Sequence, residues 1–359
     1  MLVNTSISFG SVERVHVYLG FVPLEVTENV QFLYLLVGVG LLIVGIIDLL
    51  WTILWTNGGA GPLTSPLMKG TWRGLKPLGD SNSRVLSLAG PIVISLTLAM
   101  WVLLIWAGWT LLFASDANAL NYTRGPEPVS WVGRGYFVAY TMFTMGNGDF
   151  SPASPLWQTV TALTNASGMV LITLGVSYVT SVLRGVVNKQ SFASSVMGVG
   201  ETAESFVQTG WDGDDLQQHD LPVESFASSL STLAAQHKAY PVLHYYRSER
   251  RQHAAPVAVA VFDDAVTILR DGIDADHRPN ELILETAQSG VQDYIRTAMS
   301  PPADRTPPSV DLDRLRDAGI STVSDEEFDE KLSNRADQRR QLFGVVEEQE
   351  WQWPSEQQQ

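Results

Sequence analysis

The sequence predicts an all-α membrane protein that carries a mostly helical soluble domain at its C-terminal end. Three observations predict it. Apolar runs at 30–55, 86–113 and 156–187 each reach the roughly 20 residues that a bilayer core requires. A shorter aromatic segment, Trp131 to Phe143, lies between the second and third runs and cannot span. The charge also changes along the chain. Residues 1–200 carry 9 basic and 8 acidic side chains, residues 201–359 carry 14 and 30, so the net charge of −15 belongs to the second half.

The chain has 359 residues and no cysteine, which excludes disulfides and thiolate metal sites. Only five of its 23 basic residues are lysine. An acidic, lysine-poor surface suits a high-salt cytosol, where screening relieves self-repulsion. The first 29 residues lack a basic start followed by an apolar core, so the first apolar run reads as a retained span.

Taken in order, residues 1–29 form a polar segment outside the membrane, with a glycosylation sequon at Asn4. Glu25, Thr27, Glu28 and Asn29 supply helix-start chemistry. Residues 30–55 are the first span, with Trp51 and Trp55 suited to an interfacial belt. Asp48 is its one acid and a functional candidate. The competing reading places it near the cytoplasmic end, hydrated or paired with Arg73 or Arg84. Residues 56–85 form a Gly/Pro-rich loop with Lys69, Arg73, Lys76 and Arg84 against Asp80. That excess reads as cytoplasmic and sets the N-terminus outside.

Residues 86–113 are the second span. Pro91 falls near its start, where proline is tolerated, and Trp101, Trp106 and Trp109 face lipid or neighbouring helices. Residues 114–130 form an external turret with a second sequon at Asn121. A third, at Asn165, falls inside an apolar helix and shows how cheap the motif is. Trp131 to Phe143 reads as a re-entrant helix, with Tyr136 and Phe137 packing around the segment that follows it. Its C-terminal end directs partial negative charge inward and favours a cation there. In the third span, Thr161, Asn165, Gly168, Ile172, Gly175 and Val179 recur on one stripe. Such a stripe lines a cavity, with a glycine as gate hinge, or packs helices through small residues. Arg184 and Lys189 then mark a cytoplasmic exit.

Residues 189–222 read as a Ser/Gly/Asp-rich linker. Gly198-Val199-Gly200 follows no strand and does not make a nucleotide loop. Residues 223–299 read as a cytoplasmic helical domain, with helices at Val223–Ala239, Val257–Asp271 and Asn280–Met299. Tyr240-Pro241 breaks the first, and Gly272 suits the C-cap of the second. His237, His244 and His253 lack a tight ligand spacing and read as packing or surface residues. Arg247, Arg250 and Arg251 read as a solvated basic cluster. Residues 300–359 read as an acidic, partly disordered tail: loose to 323, one helix over 324–348 capped by Ser324 with Glu327, then a disordered end.

The most specific stretch is Thr141 to Asp149, T-M-F-T-M-G-N-G-D. Gly146 and Gly148 accept positive φ without a Cβ clash, so successive carbonyls can turn the same way. Four copies about an axis stack these carbonyls into rings that replace the water of a dehydrated cation.

Here the sequence resembles the pore loop of tetrameric potassium channels. Thr141, Thr144, Gly146, Gly148 and Asp149 match the pattern T-x-x-T-x-G-x-G-D. Pro152 and Leu156-Trp157 fall near where the family has them. Met145 stands where valine or isoleucine is usual, Asn147 where tyrosine is usual, and Tyr140 where some members place a glutamate. The resemblance covers residues 86–188, the length of an outer helix, pore loop and inner helix. It implies a homotetramer in the cell membrane that conducts K+ passively through carbonyls of Thr144, Met145, Gly146 and Asn147. Gly148 completes the filter and Asp149 shapes the outer mouth. The permeating ion, K+ or Na+, is the only metal implied; no cofactor and no nucleic acid is.

Met145 and Asn147 motivate an alternative, a weakly selective cation channel. A non-conducting scaffold or sensor is the alternative of a different class. The spans hold no histidine and one acid, so they offer neither a Ser-His pair nor a carboxylate dyad for enzyme chemistry. No arginine series marks a voltage sensor, and no motif names a regulator of the C-terminal domain.

Overall fold

The computed structural model of the protein describes residues 28–55, 59–79, 86–297 and 300–355. The N-terminal segment with its helix-start residues Glu25 and Thr27 and its sequon at Asn4 lies outside these residues, as do Asp80, Arg84 and Met299.

Among the described residues, three helices are long and apolar enough to cross a membrane: α1 (Glu28–Leu54), α3 (Ala89–Ala114) and α5 (Pro155–Val199). The chain is a multi-pass membrane protein. Between α1 and α3 the sequence reads as loop, but the structure contains α2, Thr64–Gly79. Its prolines fall in the first turn (Pro66), where proline is tolerated, and near the end (Pro77). Thr64, Met68 and Trp72 recur along one buried face, while Lys69, Arg73 and Lys76 are exposed. Packing of that apolar face overrides the weak helix propensity of Gly70 and Gly74.

Asp48 settles where α2 begins. Its carboxylate accepts from the backbone N–H groups of Leu63 and Thr64 at 2.7 and 3.1 Å and from the Thr64 hydroxyl at 2.5 Å. The acid of the first span therefore caps the first turn of α2, meeting its unpaired donors and its positive dipole end. It is buried, and its hydrogen bonds among the described residues run to these groups and to Trp101, while Arg73 is exposed.

After α3 the chain forms a two-stranded antiparallel ribbon, β1 (Leu120–Tyr122) and β2 (Phe150–Pro152), with Tyr122 opposite Phe150. The ribbon brackets α4, Trp131–Met142, whose N-terminus is capped by the Ser130 hydroxyl. Three tryptophans of this region donate across to other parts of the chain. Trp106 donates to the Gly135 carbonyl at 2.8 Å, Trp109 to the Ser167 hydroxyl at 2.9 Å, and Trp157 to Asp116 at 3.0 Å. An indole N–H in an apolar layer needs such an acceptor.

α5 runs without a break for 45 residues. Where a linker is expected after 188, the helix continues, and Phe192, Ala193, Val196 and Met197 enter the core of the C-terminal domain. That domain contains α6 (Ala203–Thr209), α7 (Asp220–Ala239), α8 (Ala255–Thr267), α9 (Glu281–Thr297), α10 (Asp313–Asp317), α11 (Asp325–Ser333) and α12 (Ala336–Glu348). The helix α8 is buried on every side and carries two acids, which are paired: Asp263 with Arg335 at 3.1 Å and Asp264 with Arg339 at 3.2 Å.

The exchange runs the other way too. Val242, Leu243 and Tyr245, from the short 3-10 turn Pro241–Tyr245 after α7, belong to the core of the membrane helices. The carbonyls of Leu243 and Tyr246 accept from the Lys189 ammonium of α5 at 3.2 and 2.8 Å. Gly185 of α5 lies against Leu243, and Gly90 of α3 against the Tyr246 ring.

The stretch 300–355 also departs from the disordered reading. Val310, Leu312, Leu315 and Ile320 are buried. Ser324 caps α11 by accepting from the Glu327 backbone N–H, as expected. Trp353 is fully buried against Phe343 and donates its indole N–H to Asp264 at 3.2 Å. Acidic composition here belongs to the exposed faces; a few apolar residues on the inner faces suffice to fix the segment.

Candidate functional site

The candidate site starts where α4 ends. Phe143 closes the helix, and the backbone then turns by two short hydrogen bonds, Thr144 N–H to the Thr141 carbonyl at 3.1 Å and Met145 N–H to the Tyr140 carbonyl at 2.8 Å. From there the backbone alternates. Thr144, Gly146 and Gly148 have φ of 59°, 59° and 74°, while Met145 and Asn147 between them are not left-handed. A left-handed residue at every second position reverses each peptide in step, so the intervening carbonyls line up on one side of the strand. Glycine adopts this conformation freely. Thr144 is β-branched, and its positive φ stores on the order of 1–3 kcal/mol that the surroundings must offset.

Those surroundings are polar and come from the same chain. The Asn147 amide donates to the Tyr136 hydroxyl. Asp149 forms an ion pair with Arg124. The Thr123 hydroxyl lies 2.8 Å from the Gly148 carbonyl and 2.9 Å from that of Asp149. Tyr140 donates to the Phe150 carbonyl at 3.2 Å. An aromatic layer of Phe113, Phe137, Tyr140 and Tyr136 stands behind, with ring centroids 5.1–5.4 Å apart. Residues 143–148 are themselves exposed on one chain, Met145 to 66%.

A hollow of about 340 Å³ adjoins this segment, lined by Tyr140, Thr141, Thr144, Gly146, Thr161 and Asn165. The Asn165 side-chain oxygen is buried without a hydrogen-bond partner. Thr161 and Asn165 thus share this hollow with Thr144 and Gly146. The rest of that stripe divides. Gly168 is buried, and a Cβ there lies 2.1 Å from the Met142 carbonyl oxygen, so the glycine permits α5 to touch the end of α4. Gly175 is buried beside Leu98, Val179 is half-buried, and Ile172 is 45% exposed.

The histidines occupy a different place. His237 and His244 stand ring to ring at 4.9 Å, at the junction of α7 and the 3-10 turn, where both feel the charge of Lys189. Among the described residues, no group of three His, Asp or Glu is placed to hold a metal ion.

Sequence reasoning named Tyr136 and Phe137 as packing around the segment after α4, but it missed Thr123 and Arg124 as supports of the loop. The Thr123 and Arg124 contacts depend on the register of the ribbon, and the one local signal is the short Leu120-Asn121-Tyr122 stretch before Gly125-Pro126.

A family model described as an ion channel matches residues 96–185, the interval from α3 to the middle of α5. Over 328 residues, 90% of this chain and 96% of the relative, the sequence is 39% identical to a protein of Bacillus subtilis (strain 168) named as the uncharacterized membrane protein YdjJ. No solved structure matches.

Proposed function

The chain belongs to the ion channel family, and from that premise we propose that it is a passive potassium channel built from four copies around one axis. The filter is the segment Thr144 to Gly148. Ions exchange hydration water for the carbonyls of Thr144, Met145, Gly146 and Asn147, with the Thr144 hydroxyl as the innermost ligand, at near-equal free energy. No bond is made or broken. Asp149 shapes the outer mouth, and the polar edge of Asn165 faces the hollow through which a hydrated ion approaches. The N-terminus and turret lie outside, and the basic face of α2 and the C-terminal domain lie in the cytoplasm.

The observation that carries this reading is the alternation of left-handed backbone at Thr144, Gly146 and Gly148. It aligns carbonyls on one side of a segment that a single chain leaves uncovered. The support of Asn147 by Tyr136 favours potassium selectivity over the weakly selective alternative, because the short amide is propped where a tyrosine is usual.

Potassium flux from purified protein in liposomes tests the reading. Wild-type protein conducts, and Gly146→Asp, which puts a side chain on a left-handed residue, does not. Equal flux in the two sinks the proposal. The sodium-to-potassium permeability ratio separates the selective from the weakly selective channel, and in the latter case Asn147→Tyr sharpens discrimination. A protein that passes no cation under any condition is the scaffold or sensor.

A further inference from the structure

The outer end of the filter segment is held by the turret ribbon. β1 pairs with β2 through Tyr122 and Phe150, and the pairing continues one step, with Thr123 N–H donating to the Asp149 carbonyl at 3.0 Å. At that step the Thr123 side chain turns to the filter. Its single hydroxyl proton is shared between the carbonyls of Gly148, at 2.8 Å, and Asp149, at 2.9 Å. The next residue, Arg124, pairs with the Asp149 carboxylate. Nothing lies within 4 Å of where a Cβ on Gly146 or Gly148 would stand. Within one chain, the hydrogen bonds from Thr123 therefore orient this end of the segment.

The geometry points to Thr123 and Arg124 as positioning residues of the selectivity filter, an inference that rests on the channel reading above. Thr123 holds the Gly148 and Asp149 carbonyls away from the row of ion-facing carbonyls. That fixes the plane of the Gly148–Asp149 peptide, and through Gly148 it limits the neighbouring Asn147–Gly148 peptide, whose carbonyl is the outermost ligand. Without it, Gly148 is free to rotate, since glycine has no preferred hand. Arg124 is the weaker support. Its side chain is 70% exposed, and solvent screens such a pair.

The test uses the full chain in liposomes, with K+ flux read at low and high K+ and with the sodium-to-potassium permeability ratio. Thr123→Val removes the hydroxyl and keeps the shape. It is expected to lose roughly five- to tenfold in K+ flux at low K+, the effect of one lost hydrogen bond, and to admit more Na+. High K+ restores the flux, because resident ions order the carbonyls themselves. Thr123→Ser behaves as wild type. Asn121→Gln, which removes the sequon that Thr123 completes and leaves its hydroxyl, also behaves as wild type. Arg124→Gln shows a smaller loss.

Thr123→Val that matches wild type in flux, K+ dependence and ion ratio overturns the assignment while leaving the channel intact. A loss that is equal at low and high K+ and accompanied by a lower melting temperature marks a general structural role and overturns it too. A wild-type protein that passes no cation overturns the channel reading, and this inference with it.

Discussion

Trp101 of α3 donates its indole N–H to Asp48 of α1 at 2.8 Å, and both side chains are fully buried. One carboxylate thereby joins the first span to the second and caps α2. Each donor satisfies a charge that is costly to bury alone.

Removing that charge leaves several donors without an acceptor. Asp48→Leu is expected to destabilise the helical bundle by about 3 kcal/mol, the upper range for hydrogen bonds to a charged group. Asp48→Asn, which keeps an acceptor oxygen, costs less. Thermal melts of the detergent-purified protein compare the two. A leucine variant as stable as wild type removes the capping role.

Two glycine substitutions move stability in opposite directions. At Gly90 a Cβ lies 2.5 Å from the Tyr246 ring, so Gly90→Ala overpacks the contact between α3 and the 3-10 turn and costs about 1–3 kcal/mol. At Gly74, on the exposed face of α2, a Cβ meets nothing within 4 Å, so Gly74→Ala gains about 0.5–1 kcal/mol in helix propensity. Melting temperatures should fall in the first and rise in the second; the same sign in both contradicts the packing described.

Gly168 admits no side chain. Its Cβ position lies within 2.8 Å of three backbone atoms of Met142, and backbone cannot move aside as a side-chain end can. Gly168→Ala is expected to cost about 3 kcal/mol or more and to displace α4 from α5. The matched change Gly198→Ala, near the end of α5 and in open space, serves as control. Protein yield and melting temperature read the difference.

The paired histidines set a pH dependence. Burial brings His237 well below its usual range, with His244 and Lys189 acting in the same direction. Burial and then Lys189 bring His244 down to about 4. A folded-state pKa below the unfolded value of about 6.5 favours the neutral ring in the fold. The stability from this pair is thus complete above pH 6.5 and is lost as the pH falls from there toward 4. Melts across this window should show wild type losing stability on acidification. A His237→Gln, His244→Gln double variant should have a flatter profile; profiles of equal slope contradict the assignment.

Trp353 tests whether the C-terminal segment is part of the fold. Trp353→Ala empties a fully buried site and removes a donor to Asp264, at an expected cost of about 3–5 kcal/mol. Protease resistance of the segment after Pro301 should fall with it. Unchanged resistance and melting return the segment to the peripheral role that its composition suggests.

The sequence by itself determined the three spans, the position of α4, and the candidate segment from Thr141 to Asp149. These are local properties: a run of apolar residues fixes a helix in lipid, and alternating glycines fix which backbone conformations are open. It also determined α7, α8 and α9 to within a few residues, because their apolar spacing is regular. Only the tertiary structure decided that Asp48 caps α2, that Thr123 reaches the Gly148 and Asp149 carbonyls, that α5 continues into the C-terminal core, and that Trp353 is buried. Each of these joins residues far apart in the chain. A buried polar group or a lone tryptophan states that it requires a partner, and packing alone selects which one.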